Sequence, residues 1–300
     1  MIIKRTACQK AGSIAAWGKT GIPNKKVADR QRTKNELMKK MIFIGTLMAL
    51  SYVPFVSFGW GMLGHRVIGQ IAENHLSKKA KKAISEILGS ESVAMASTYA
   101  DFIKSDSNYK YIDSWHYINF KAGLSYEGMQ EYLKTDETVD AYTKMQYLIT
   151  ELKKKDLEQK KKVFYLKLLI HIAGDVHQPM HSTAEGDKGG NDVKVQWAGQ
   201  PSNLHRVWDS DLIESQQLSY TEYAASLDHA TPQELSALKN EPIGKWLYDS
   251  YTISAALRAQ ITEPNQRLGY NYTYEHLATA NRRMLEGGIH LAALLNEIFG

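Results

Sequence analysis

The chain has 300 residues, 43% hydrophobic and 23% charged, enough for one large domain with a substantial core or for two smaller ones. Its formal charge of +5 points toward nucleic acid or membrane, yet eleven of the 37 Lys and Arg, against two of the 32 Asp and Glu, lie in residues 1–59. The chain after Gly59 therefore holds 26 basic and 30 acidic residues, a net of −4, which argues against a broad basic groove as the driver of binding.

Residues 1–37 show no apolar period and are expected to be a disordered upstream extension, with translation starting at Met38 or Met41. Residues 38–59 read as a secretory signal peptide: Met38-Lys39-Lys40-Met41 leads into an apolar run, and Ser57 and Gly59 put small residues where a signal peptidase inspects the chain. Pro54 fits this better than an uninterrupted membrane helix, the alternative being an uncleaved anchor. The only cysteine, Cys8, lies in this leader, so disulfides cannot staple the body and its stability must come from packing or bound metal.

From Trp60 the pattern is mostly helical. Val67, Ile68, Ile71, Ala72 and Leu76 share a face, and Ser77 can cap the following KKAKKAISEIL. A segment around Val93–Ile103 precedes the aromatic stretch YKYIDSWHYINF. Val139, Tyr142, Met145, Leu148, Ile149 and Leu152 predict an amphipathic helix, and Phe164, Leu168, Leu169 and Ile172 a more buried one. In GDKGGNDVKVQW, glycines are followed by Val193, Val195 and Trp197 in alternation, a loop and then a short strand or hairpin. Thr231-Pro232 starts a further helix, and YEHLATANRRMLEGGIHLAALLNEIF closes the chain, with Gly287-Gly288 as a close-packed or bent point. With no repeat or long linker after residue 60, the expectation is a single all-α domain over 60–300 with a short β-hairpin.

The densest constellation is LLIHIAGDVHQPMH. His171 and Asp175 are four apart on an apolar helix and project from one face, Pro179 ends that helix, and His181 follows. His205 and Asp209 in NLHRVWDSDLI repeat the spacing. One such pair is ordinarily a surface contact; two, each among apolar neighbours and with a trailing histidine, favour a metal. Asp101 and His116 bring the candidate ligands to seven. Imidazole and carboxylate without thiolate suit a catalytic zinc. A di-iron carboxylate bundle would need Glu-x-x-His pairs, which are absent.

With these residues in view, the sequence resembles the zinc-dependent single-strand-specific nucleases of fungi, plants and bacteria, the S1/P1 type. The motifs that carry the resemblance are W-x4-H at Trp60–His65, YAD ending at Asp101, WHYIN at Trp115–Asn119, H-x3-D-x-HQPMH at His171–His181, GDKGGN at Gly186–Asn191 and NLHRVWD at Asn203–Asp209. The resemblance implies the multi-helix fold shared by these nucleases and the zinc-dependent phospholipases C. It also implies cleavage of the leader between Gly59 and Trp60, so that the free amine and carbonyl of Trp60 bind zinc.

Three zinc ions are implied. Asp101, His116, His171 and Asp175 would hold one, Trp60, His65 and the other oxygen of Asp175 a second, and His181, His205 and Asp209 a third. Asp101 would also orient the attacking water, and Tyr117 would stack on a base, unless it is a packed core tyrosine. The substrates implied are single-stranded DNA and RNA, cut to 5′-phosphorylated products, together with 3′-nucleotides. The protein would be a secreted or periplasmic monomer with no stable membrane association.

Fungal and plant members use disulfides, so this cysteine-free body looks like the bacterial branch. Asp211 stands where some members place a base-contacting Asn. His75, His229, His276 and His290 are expected at the surface or in caps, and His177 is expected to hydrogen-bond a ligand carboxylate or loop backbone. Two other readings stay open at this point: a zinc-dependent phospholipase C, against which Asp209 counts because those lipases close the third site with Glu, and a non-enzymatic exported zinc-binding protein.

Overall fold

The computed structural model describes residues 60–300; the expected extension and signal peptide, with Cys8, lie outside these residues. Helices come first: α1 (Met62–Asn74), α2 (Lys78–Leu88), α3 (Val93–Ala96) and α4 (Tyr99–Ile103), then a 3-10 helix over Ser107–His116. Strand β1 (Ile118–Phe120) leads to α5 (Tyr126–Thr135), α6 (Ala141–Leu152) and α7 (Gln159–Asp175), and a 3-10 turn at Pro179–His181 leads into β2 (Ser182–Ala184). The hairpin of β3 (Lys194–Trp197) and β4 (Gln200–Asn203) runs into α8 (Leu204–Arg206), a π-helical turn at Val207–Asp211 and α9 (Leu212–Glu214). After α10 (Tyr220–Leu227), α11 (Pro232–Lys239) and α12 (Ile243–Ala259) come β5 (Gln266–Leu268) and the 30-residue α13 (Tyr270–Phe299). No helix among the described residues is long and apolar enough to cross a membrane.

Local chemistry explains where the helices begin. The Ser77 hydroxyl accepts from the Ala80 amide at the head of α2, and reciprocal capping boxes open α6 (Asp140 with Thr143), α10 (Ser219 with Glu222) and α11 (Thr231 with Glu234, Pro232 following). Each such cap is worth about 1 kcal/mol. The hairpin turns at Ala198-Gly199, both with positive φ, as a two-residue turn that matches strand twist requires.

The core centres on α1. Its Val67, Ile68 and Ile71 are essentially inaccessible, each contributing about 1.5–3 kcal/mol by burial, and α13 lies against them. A Cβ at Gly288 would come within 2.5 Å of the Ile71 Cβ, so Gly287-Gly288 is a point of close helix approach within an unbroken helix.

Four features refine or correct the sequence reading. The Val93–Ile103 segment is two short helices, α3 and α4, separated at Ser97-Thr98. The aromatic stretch becomes a ten-residue 3-10 helix followed by β1, which pairs in parallel with β2 in the register Ile118↔Ser182. The hairpin is also extended, because β5 joins β3 in parallel. His276 and His290, expected at the surface or in caps, are instead buried along α13, at 7% and 1% exposure. His75 does cap α1, with its ring 2.6 Å from Asp228, and His229 is exposed.

Candidate metal centre

Three groups of side chains converge: His65 with His171 and Asp175, Asp101 with His116 and His171, and His181 with His205 and Asp209. The histidines and Asp175 and Asp209 are buried; Asp101 is partly covered. Helix α7 supplies the axis. His171 and Asp175 fall one turn apart on its buried face, with His171 Nε2 3.2 Å from Asp175 Oδ2. Asp175 is the meeting point: His65 Nε2 is 3.3 Å from its Oδ1, and His116 Nδ1 is 2.9 Å from its Oδ2. His65 reaches it because α7 has a glycine alongside. A Cβ at Gly174 would lie 2.9 Å from His65 Nδ1. The His65 ring stacks on His171 with centroids 3.9 Å apart.

Backbone carbonyls fix three of the imidazoles. Nδ1–H of His171 donates to Ser97 O at 2.6 Å, that of His181 to His116 O at 2.6 Å, and that of His205 to Gly189 O at 2.7 Å. Each bond leaves an Nε2 lone pair directed into the cluster, the arrangement in which histidine binds metal. The β1–β2 pairing begins just past His116 and His181 and so locks the two histidines together. Gly189 (φ +63°) and Gly190 (φ +80°) let the loop after β2 turn its carbonyl onto His205, and Asp187 holds that loop through the Gly190 amide at 2.8 Å. The GDKGGN loop thus ends on a candidate ligand.

Electrostatics separate the histidines. Burial lowers His65 and His116 below the ordinary imidazole value and takes His181 to about 3. Burial alone would also lower His171 and His205, but Asp175 and Asp101 beside the first, and Asp209 beside the second, outweigh it and raise both. Burial pushes Asp175 upward, yet His171 and His181 hold it well below the carboxylate range. Asp101 is lowered in the same way, burial being outweighed by His171 and by Lys104, whose Nζ is 2.7 Å from Asp101 Oδ1.

Several buried polar atoms here lack a hydrogen-bond partner: both ring nitrogens of His65, His181 Nε2 and Asp175 Oδ1. Leaving such atoms unsatisfied costs about 1–3 kcal/mol each. Grouped lone pairs of nitrogen and carboxylate oxygen, without thiolate, fit a divalent cation such as zinc.

Trp60 is fully buried, and the adjoining Gly61 amide donates to the Asp209 carbonyl at 2.7 Å, which ties the start of the described chain to the third group. Tyr117, next to His116, is 42% exposed and is not a core residue.

Gln178 and Lys104 were not singled out in the sequence. Gln178 is fully buried; its Nε2 donates to Asp209 Oδ1 and its Oε1 accepts from the Met180 amide. The signal available was its place inside HQPMH. His177, just past α7, turns away from the ligand carboxylates: Nδ1 bonds the Ala173 carbonyl in the last turn of α7 and Nε2 lies 2.7 Å from His290 Nδ1. Asp211 accepts from the Ser202 hydroxyl at 2.9 Å and pairs with Arg206, joining the hairpin to the π turn.

The S1/P1 Nuclease family model matches residues 60–300. Endonuclease 2 of Arabidopsis thaliana is 30% identical over 298 residues, covering 87% of this chain and 97% of the relative. Nuclease P1 of Penicillium citrinum is 26% identical, covering 80% and 98% of the two chains, and nuclease S1 of Aspergillus oryzae is 25% identical, covering 55% and 58%.

Proposed function

The chain belongs to the S1/P1 nuclease family, and on that premise we propose that it is an endonuclease that hydrolyses phosphodiester bonds of single-stranded DNA and RNA to 5′-phosphorylated products, with 3′-nucleotides as further substrates. The observation that carries the reading is the convergence of three His/Asp groups, two of them sharing His171 and both contacting Asp175, with buried ligand atoms that lack a hydrogen-bond partner. The phospholipase C and zinc-buffer alternatives have no comparable support beside a match to a nuclease family over residues 60–300.

Zinc fits the donor set. Asp101, His116, His171 and Asp175 would hold one ion, Trp60, His65 and Asp175 a second, and His181, His205 and Asp209 a third. Bound there, zinc lowers the pKa of water toward neutrality and polarises the phosphate. The protein does the rest. Asp101, held by Lys104, would orient the attacking water and take its proton. Carbonyl-anchored His171, His181 and His205 would present their Nε2 lone pairs to the ions in a fixed tautomer and orientation. Tyr117, half exposed beside His116, would stack on the base next to the cut, which requires that base to leave its own stack. Removal of the leader before Trp60 would free the amine that completes the second site, in a secreted or periplasmic monomer.

The test is direct: zinc-loaded protein beginning at Trp60 is incubated with single-stranded DNA and, separately, with phosphatidylcholine. Cleavage of the DNA with 5′-phosphate ends is expected. Lipid cleavage without nucleic-acid cleavage would overturn the proposal.

A further inference from the structure

Outside the metal centre, six aromatic side chains form a chain of contacts across the 3-10 helix, α6 and α7. Tyr111 meets Trp115 at 5.7 Å between ring centroids and Tyr109 at 6.4 Å. Tyr109 meets Phe164 at 5.9 Å, Phe164 meets Tyr165 at 6.0 Å, and Tyr165 meets Tyr147 at 5.8 Å. Lys144 closes the circuit, its Nζ 5.1 Å from the Trp115 ring and 5.5 Å from that of Tyr147.

Trp115 is buried, but the other five rings are not simply core. Tyr111 is 55% exposed and Tyr147 41%, and Tyr109, Phe164 and Tyr165 stay partly open. The hydroxyls of Tyr147 and Tyr165 bond each other at 3.1 Å, which fixes their ring planes. Contiguous exposed apolar surface of this kind marks a binding face. Its charge is positive on balance. Asp113 is paired with Lys110 and Glu151 with Lys154, while Lys160 and Lys161 stand exposed in the turn of α7 before Phe164. The face also adjoins the metal centre: Trp115 precedes His116, and the Tyr117 carbonyl accepts from the Ala141 amide at the head of α6. Lys144 and Tyr147 then follow one and two turns along that helix.

We propose that this aromatic and basic face is an extended platform for the single-stranded nucleic acid, on which nucleotides beyond the cleaved phosphate stack against Tyr111 and Tyr147 while Lys144, Lys160 and Lys161 accompany the backbone. The proposal rests on the nuclease reading and places the rest of its polymer substrate. Open ring faces interleaved with cations are what sequence-independent single-strand binding requires. Paired bases have no free face to offer, so the platform adds to the preference for single strands.

The test compares wild type, the double variant Tyr111→Ala/Tyr147→Ala and the double variant Tyr111→Phe/Tyr147→Phe, all zinc-loaded. Fluorescence anisotropy follows binding of a long oligothymidylate with phosphorothioate linkages, which slow cleavage. Kinetics on an ordinary long oligothymidylate and on the dinucleotide TpT give the ratio of kcat/KM between the two. The alanine pair is expected to weaken oligomer binding by roughly tenfold or more and to lower the long-to-short ratio mainly through KM, and the phenylalanine pair to restore both. Equal binding by the alanine pair and the wild type, or no recovery with phenylalanine, would overturn the platform. A wild type that binds with this pattern yet cleaves neither substrate supports the platform and sinks the nuclease reading instead.

Discussion

His171 Nδ1 and the Ser97 carbonyl oxygen lie 2.6 Å apart in the interior, and that hydrogen bond decides which ring nitrogen faces Asp101, His116 and Asp175. The break between α3 and α4 at Ser97 leaves that carbonyl available to the histidine: a continuous helix would use it within its own ladder. Three candidate ligand histidines share this device, each anchored by a different carbonyl.

Asp175 touches two of the groups at once, so its charge should matter more than that of any other carboxylate. The substitution Asp175→Asn keeps the shape and removes the charge. Zinc content measured by mass spectrometry should fall by more than one ion per molecule. Cleavage of single-stranded DNA should drop beyond the roughly 100-fold that loss of an outer hydrogen-bond partner costs.

The Gln178 side chain bonds the third group through Asp209. Gln178→Ala removes the donor to Asp209 and should weaken zinc binding there by about 10- to 100-fold. A chelator titration should show one weakened ion and two of ordinary strength. Uniform weakening of all three would mean that Gln178 serves general stability.

Acid should destabilise the metal-free protein. His65, His116 and His177 lie below the ordinary imidazole value because of burial, and His181 lies at about 3. The unfolded chain therefore binds more protons as pH falls below about 6.5. Their contribution is full above that value and is lost downward toward the folded pKa. Asp175, also depressed, acts in the same direction at lower pH, whereas the raised His171 and His205 oppose it. The urea midpoint of metal-free protein should be lower at pH 5 than at pH 7. An equal or higher midpoint at pH 5 would contradict the assignment.

Close packing of α13 on α1 should be intolerant of added volume. Gly288→Ala puts a methyl group 2.5 Å from the Ile71 Cβ and should cost about 1–3 kcal/mol of unfolding free energy. A thermal melt with an unchanged midpoint would show that the helices part freely there.

Elements written in local pattern were legible in the sequence. Ser77 and Thr231 cap where their side chains predict, and the hairpin follows the alternation of Val193, Val195 and Trp197. The i, i+4 spacing of His171–Asp175 and His205–Asp209 places each pair on one face. Relationships set by long-range packing were not legible. Nothing local says that Ile118 will pair with Ser182, or that the Gly189 carbonyl will meet His205. His290 looked peripheral because a single histidine in a helix has no partner visible in sequence. Its partners come from other elements: the His177 ring bonds it and Trp246 stacks on it at 4.6 Å.

The central claim is that the three groups are zinc sites that perform the hydrolysis. It is tested most directly by counting zinc in purified protein whose chain begins at Trp60, while following single-stranded DNA cleavage before chelation, after it and after zinc return. About three ions per molecule are expected, as the ligand sets require, with cleavage lost on chelation and restored by zinc. Undiminished cleavage by protein stripped of metal would contradict it.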